Sequence, residues 1–101
     1  MMVELSIVPV GRDAHLGAAV AAAVKIVHES GLEYRLTPMG TILIGEWEPV
    51  MAVVRKCHEA VRQQHERVLT RIKIDDFKGR ERLPEEKVQA VEKILGFAVR
   101  K

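Results

Sequence analysis

This sequence has little of what usually marks a specialised small protein. It carries one cysteine, Cys57, so no internal disulfide can form and a disulfide-stapled scaffold is excluded. A lone thiol fits a reducing, cytoplasmic setting. Aromatic residues make up 4%, which argues against a single-stranded nucleic-acid binder built on stacking platforms. No apolar run is long enough for a membrane-spanning helix, and no basic start leads into a signal-like apolar segment. Low-complexity tracts and repeats at solenoid periods are also missing. The four histidines include no H-x-x-x-H pair, and no glycine pattern matches a phosphate-binding loop.

What remains is the composition of a soluble globular domain spanning residues 1–101, with 48% hydrophobic and 30% charged residues. The net charge of +2 is unevenly spread. Residues 1–50 hold three basic and six acidic side chains; residues 51–101 hold thirteen and eight. The basic residues of the second half alternate with acids, as in KGRERLPEEK, so they read as a solvated mixed-charge face and not a nucleic-acid surface.

The pattern along the chain is legible. VELSIVPV (3–10) alternates, with Val3, Leu5 and Ile7 on one face and Glu4, Ser6 and Val8 on the other, as a half-buried strand does. Asp13 is placed to cap a helix whose apolar stripe reads Leu16, Val20, Val24 and Val27, stopped at Gly31. EYRLT (33–37) and TILIG (41–45) form two further strands joined by a tight turn at Gly40, with Pro38 suiting an edge. Glu48 and Pro49 open a second helix with the stripe Val50, Val53, Val54, Cys57 and Val61. RVLTRIKIDDF (67–77) is the fourth strand, and LPEEKVQAVEKILGF (83–97) carries a last helix, with Pro84 at its start and Gly96 near its end. The order β-α-β-β-α-β plus a terminal helix predicts an α+β sandwich: an antiparallel four-stranded sheet with both main helices on one face and the other face open. Two edge strands and that open face favour self-association.

Chemistry is harder to find. Cys57 falls on a buried stripe, Ser6 has no nucleophile elbow, and the neighbouring acids Asp75 and Asp76 point to opposite faces of a strand. No enzymatic site, metal or cofactor is implied. The stretch TPMGTILIGEWEPV (37–50) concentrates special residues where strands meet a helix start, a place that can offer donors, an acid and an aromatic face to a small heterocycle. The candidate ligand-binding residues are Ser6, Thr41, Glu46, Trp47 and Asp75.

ELSIVPVG, HESGLEYRLTPMGT, GEWEPVM and TRIKIDD occur in this order along most of the chain. Together they resemble the small thiamine-binding (YkoF-like) family over about residues 3–77, with Thr41, Glu46 and the Lys73–Asp75 segment matching and Ile44 standing where that family often has an acid. The resemblance implies a ferredoxin-like fold, homo-oligomers up to tetramers, and non-catalytic binding of thiamine or its hydroxymethylpyrimidine part. An oligomeric regulatory or scaffolding protein with an incidental ligand is the competing reading.

Overall fold

The computed structural model describes residues 1–11 and 14–101. Strand β1 (Met2–Val10) alternates as its sequence demands: Val3, Leu5, Ile7 and Pro9 are buried, while Glu4, Val8 and Val10 are exposed. It is followed by α1 (Leu16–Glu29), β2 (Glu33–Thr37), β3 (Gly40–Ile44), α2 (Trp47–Gln64), β4 (Arg67–Asp75) and α3 (Pro84–Leu95). The strands form one antiparallel sheet in the order β2-β3-β1-β4. This is the ferredoxin-like arrangement that the element order predicts, with β2 at an edge as Pro38 suggests.

Helices α1 and α2 pack on each other and on the face of β1 that carries Val3, Leu5 and Ile7. The α2 stripe falls where the periodicity places it: Val50, Val53, Val54, Cys57 and Val61 are all buried. The Cys57 thiol donates to the Ala23 carbonyl oxygen at 3.4 Å, and burial pushes its pKa up to about 11. It is a core residue.

Helix α1 departs from the expected stripe. Its buried positions are Ala19, Ala23 and Val27, while Leu16 is 51% exposed, Val20 37% exposed and Val24 half-buried. The small alanines let α1 approach α2 closely. The helix is therefore turned so that its Leu16–Val20–Val24 side faces away from the centre of the core. Its N-cap position is taken by His15 with no side-chain cap bond; Asp13, the expected cap, lies outside the described residues. At the other end Gly31 adopts φ +78°, the left-handed stop predicted for it.

The second face of the sheet is not wholly open. The first turn of α3 is tethered to both edge strands, because Glu85 pairs with Arg35 of β2 and Lys87 pairs with Asp75 of β4. Ile44 lies on that face and is 9% exposed. Beyond this turn α3 buries none of its residues, and Val91, Ile94, Leu95 and Phe97 stay exposed.

Candidate functional site

Unequal strand lengths create a concavity among the described residues. β1 has nine residues and pairs with β4 over all of Met2–Val10, whereas β3 has five and pairs with β1 only over Met2–Leu5. On its β3 side, β1 is therefore left without a described strand partner from Ser6 onward. The β2–β3 turn closes one end of this notch and α1 overhangs it, enclosing a cleft of about 650 Å3.

Each wall has a distinct chemistry. The α1 wall is apolar: Leu16, Val20 and Val24, from the side of the helix turned away from the core, line it together with the core residues Ala23 and Val27. The hairpin wall runs from Leu36 to Thr41, with Met39, 84% exposed, as a pliable lip. Thr37 holds this turn: its Oγ donates to the Gly40 carbonyl oxygen at 2.8 Å and accepts from the backbone N–H groups of Met39 and Gly40 at 3.2 and 3.1 Å. A Cβ on Gly40 would stand 3.0 Å from the Leu5 carbonyl oxygen, a tight contact, so glycine suits the close approach of the turn to β1.

Thr41 follows on β3 and is the one polar residue buried among those described. Its side chain lies beside Leu5 on the helix-facing side. Its hydroxyl is not among fully buried, unpartnered side-chain atoms, of which the described residues have none, and the residue lines the cleft. Ser6 lines the cleft from β1, on the opposite face of the sheet. Glu4, Arg71 and Lys73 complete the polar rim.

The five candidate residues thus separate. Ser6 and Thr41 share the cleft. Glu46 is the exposed N-cap residue of α2, and Trp47 is its first residue, 50% exposed. Both sit at the far end of β1, where the Gly45 N–H donates to the Met1 carbonyl oxygen at 3.1 Å. Asp75 closes β4 near that end and lines a smaller hollow of about 270 Å3 with Met2, Phe77, Arg80, Arg82 and Lys87. Its hydrogen bond from Lys87 holds its carboxyl below the usual carboxylate range. In the same hollow the guanidinium groups of Arg80 and Arg82 lie 5.9 and 6.0 Å from the Phe77 ring centroid.

Two histidines serve the fold. His58 Nδ1 and Thr70 Oγ1 are hydrogen-bonded at 2.6 Å, tying α2 to β4, and His28 Nδ1 meets the Tyr34 hydroxyl at 2.7 Å. His58 is half-buried. Among the described residues no group of three or more His, Cys, Asp or Glu side chains is arranged to hold a metal ion.

The sequence signal for the cleft wall was present but ambiguous. Helix α1 carries two adjacent apolar stripes, Leu16–Val20–Val24 and Ala19–Ala23–Val27, and one helix can turn only one of them into a core. Arg71 and Lys73 alternate with Ile72 and Ile74, which marks a strand but not what its polar side borders.

Comparison with known proteins places this geometry. The family described as "Thiamine-binding protein" matches residues 3–92, and the chain belongs to it. A Bacillus subtilis relative, UPF0045 protein YqgV, is 36% identical over 98 residues, covering 91% of this chain and 94% of its own. A crystal structure of a Methanocaldococcus jannaschii protein superposes with a TM-score of 0.80 at 29% identity, covering 89% of this chain and 93% of the other. A Thermotoga maritima structure, provisionally named for thiamine biosynthesis/salvage, gives a TM-score of 0.78 at 27% identity, covering 89% and 96%.

Proposed function

We propose that this member of the thiamine-binding family binds thiamine or its hydroxymethylpyrimidine part without transforming it, and that the Ser6–Thr41 cleft is where the ring sits. The observation that carries the reading is Thr41, a buried polar residue lining a cleft whose helical wall is aliphatic. A volume of about 650 Å3 suits a small heterocycle. An aminopyrimidine has flat apolar faces for Leu16, Val20 and Val24, and an edge of donors and acceptors for Thr41 and Ser6. The described lining has no His or Cys, and Glu4 is its single carboxylate, which supports binding over acid–base or nucleophilic chemistry. Glu46, Trp47 and Asp75 lie outside this lining and would have to reach ligand by another route.

The proposed working form is a homo-oligomer, the tetramer that the family resemblance implies, in a reducing cytoplasm. Two edge strands and the exposed Val91, Ile94, Leu95 and Phe97 on and just beyond α3 support association. The same surface favours the second reading, a regulatory or scaffolding oligomer with an incidental ligand. No helix among the described residues is long and apolar enough to cross a membrane.

Thermal shift and isothermal titration with thiamine, hydroxymethylpyrimidine and a short oligonucleotide separate these readings, since a ligand of the native state raises its melting temperature. Stabilisation by either heterocycle and none by the oligonucleotide is the expected result. No response to either heterocycle from a cooperatively folded oligomer would leave the scaffolding reading.

A further inference from the structure

We infer that the cleft is built for a heterocycle that carries a phosphoryl group, the ring lying against α1 and the anion against Arg71 and Lys73. The inference rests on the cleft being the heterocycle site, and it adds the charge of the ligand.

The strand register supplies the geometry. Ser6 stands opposite Arg71 and Glu4 opposite Lys73, so one hydroxyl and two cations border the cleft on the same side of the sheet. On that face Arg35 pairs with Glu33 and Glu85 and Lys87 with Asp75, while Arg67, farther along β4 and outside the cleft lining, makes no ion pair among the described residues. Arg71 and Lys73 take part in no ion pair among the described residues, and Glu4, though opposite Lys73, makes no bridge to it. The described rim thus carries two uncommitted cations against one carboxylate.

The chemistry of these groups selects the anion. A guanidinium presents a planar fork of N–H donors, an ammonium adds a mobile point charge, and a serine hydroxyl adds a neutral donor. That set matches the oxygens of a phosphate monoester. A bare thiazolium cation would meet a net positive rim, and a neutral pyrimidine would leave both cations unused.

Titrating hydroxymethylpyrimidine and its phosphate monoester into wild type, Arg71→Gln, Lys73→Gln and Glu4→Gln tests this. All three positions are exposed, and an unchanged melting temperature verifies folding. The ester should bind wild type about 10-fold or more tighter than the alcohol, and raised salt should weaken the ester alone. Arg71→Gln or Lys73→Gln should remove most of that advantage while leaving alcohol affinity within about 2-fold, and Glu4→Gln should tighten the ester. If the ester binds no better than the alcohol, or if Arg71→Gln weakens both equally, the inference fails while the heterocycle site stands. If neither compound binds wild type, both fail together.

Discussion

Replacing Thr41 by valine isolates the one polar group that the cleft draws from the protein interior. Valine matches threonine in shape and in preference for strands, so the packing of β3 beneath the helices is kept. The residue is 7% exposed and lines the cleft. Exchanging it for a methyl should therefore leave the free protein as stable as wild type, or slightly more so. Binding should suffer. A hydrogen bond between neutral partners contributes about 0.5–1.5 kcal/mol net, and 1.4 kcal/mol is tenfold in affinity, so Kd for hydroxymethylpyrimidine should rise about 2- to 13-fold. Calorimetric titration gives the affinity, and thermal melting of the unliganded variant gives the stability. For a domain of this size, a loss of 1 kcal/mol would lower Tm by about 4–8 °C. A drop of that size would mean that the hydroxyl supports the fold. Unchanged affinity in a stable variant would mean that the ring does not reach Thr41.

The turn of α1 makes a paired prediction. Val54→Asp places an unpaired carboxylate at a position 4% exposed, at a cost of several kcal/mol against a stability of about 5–15, and should abolish cooperative unfolding. Val24→Asp, at a half-buried position on the cleft wall, should leave a folded protein that no longer binds the heterocycle, and unfolding of both variants would show α1 to be misplaced. Glu46→Gln should leave affinity for thiamine and hydroxymethylpyrimidine unchanged, because Glu46 lies outside the cleft lining; a selective loss of thiamine binding in titration would move the site to the start of α2. Acid should release α3 before the core. Asp75 and Glu85 have carboxyls lowered by their hydrogen bonds to Lys87 and Arg35. Their contribution is thus fully present above the ordinary carboxylate range and lost as pH falls through the depressed values, below about pH 4. Amide exchange should show α3 protection falling there while β1 keeps its own, and simultaneous loss in both would refute the local role of these pairs.

Much of the fold was legible because burial and periodicity agreed. The α2 stripe has one apolar side, so Val50, Val53, Val54, Cys57 and Val61 could go only inward, and β1 has a strict alternation that sets its faces. In α1 the signals conflicted. Hydrophobicity favoured Leu16, Val20 and Val24 for the core, but close approach to α2 favoured Ala19 and Ala23, and packing distance won. Nearness in sequence groups Thr41, Glu46 and Trp47, but the fold separates them. A strand of five residues separates the hairpin from the start of α2, and Thr41 and Glu46 fall at its two ends. Ser6 belonged with Thr41 because β1 runs antiparallel to β3 and returns to the hairpin end, a relation that only pairing reveals.

That pairing also explains why a site exists in so plain a fold. Had β3 matched β1 in length, its extra residues would have paired with Ser6 to Val10 and filled the notch, and Leu16 and Val20 would have had a strand to cover. The chain instead turns early at Pro38 and Gly40, and Gly40 can sit close to β1 because it has no Cβ to crowd the Leu5 carbonyl oxygen. The apolar side of α1 is left facing a gap rimmed by hydroxyls and cations. An aliphatic surface beside unpaired strand edge is costly to keep in water. A flat ring laid on the aliphatic wall, with donors and acceptors toward Thr41 and Ser6, would take that surface out of water, so the proposed heterocycle site is a product of the same early turn that shortens the sheet.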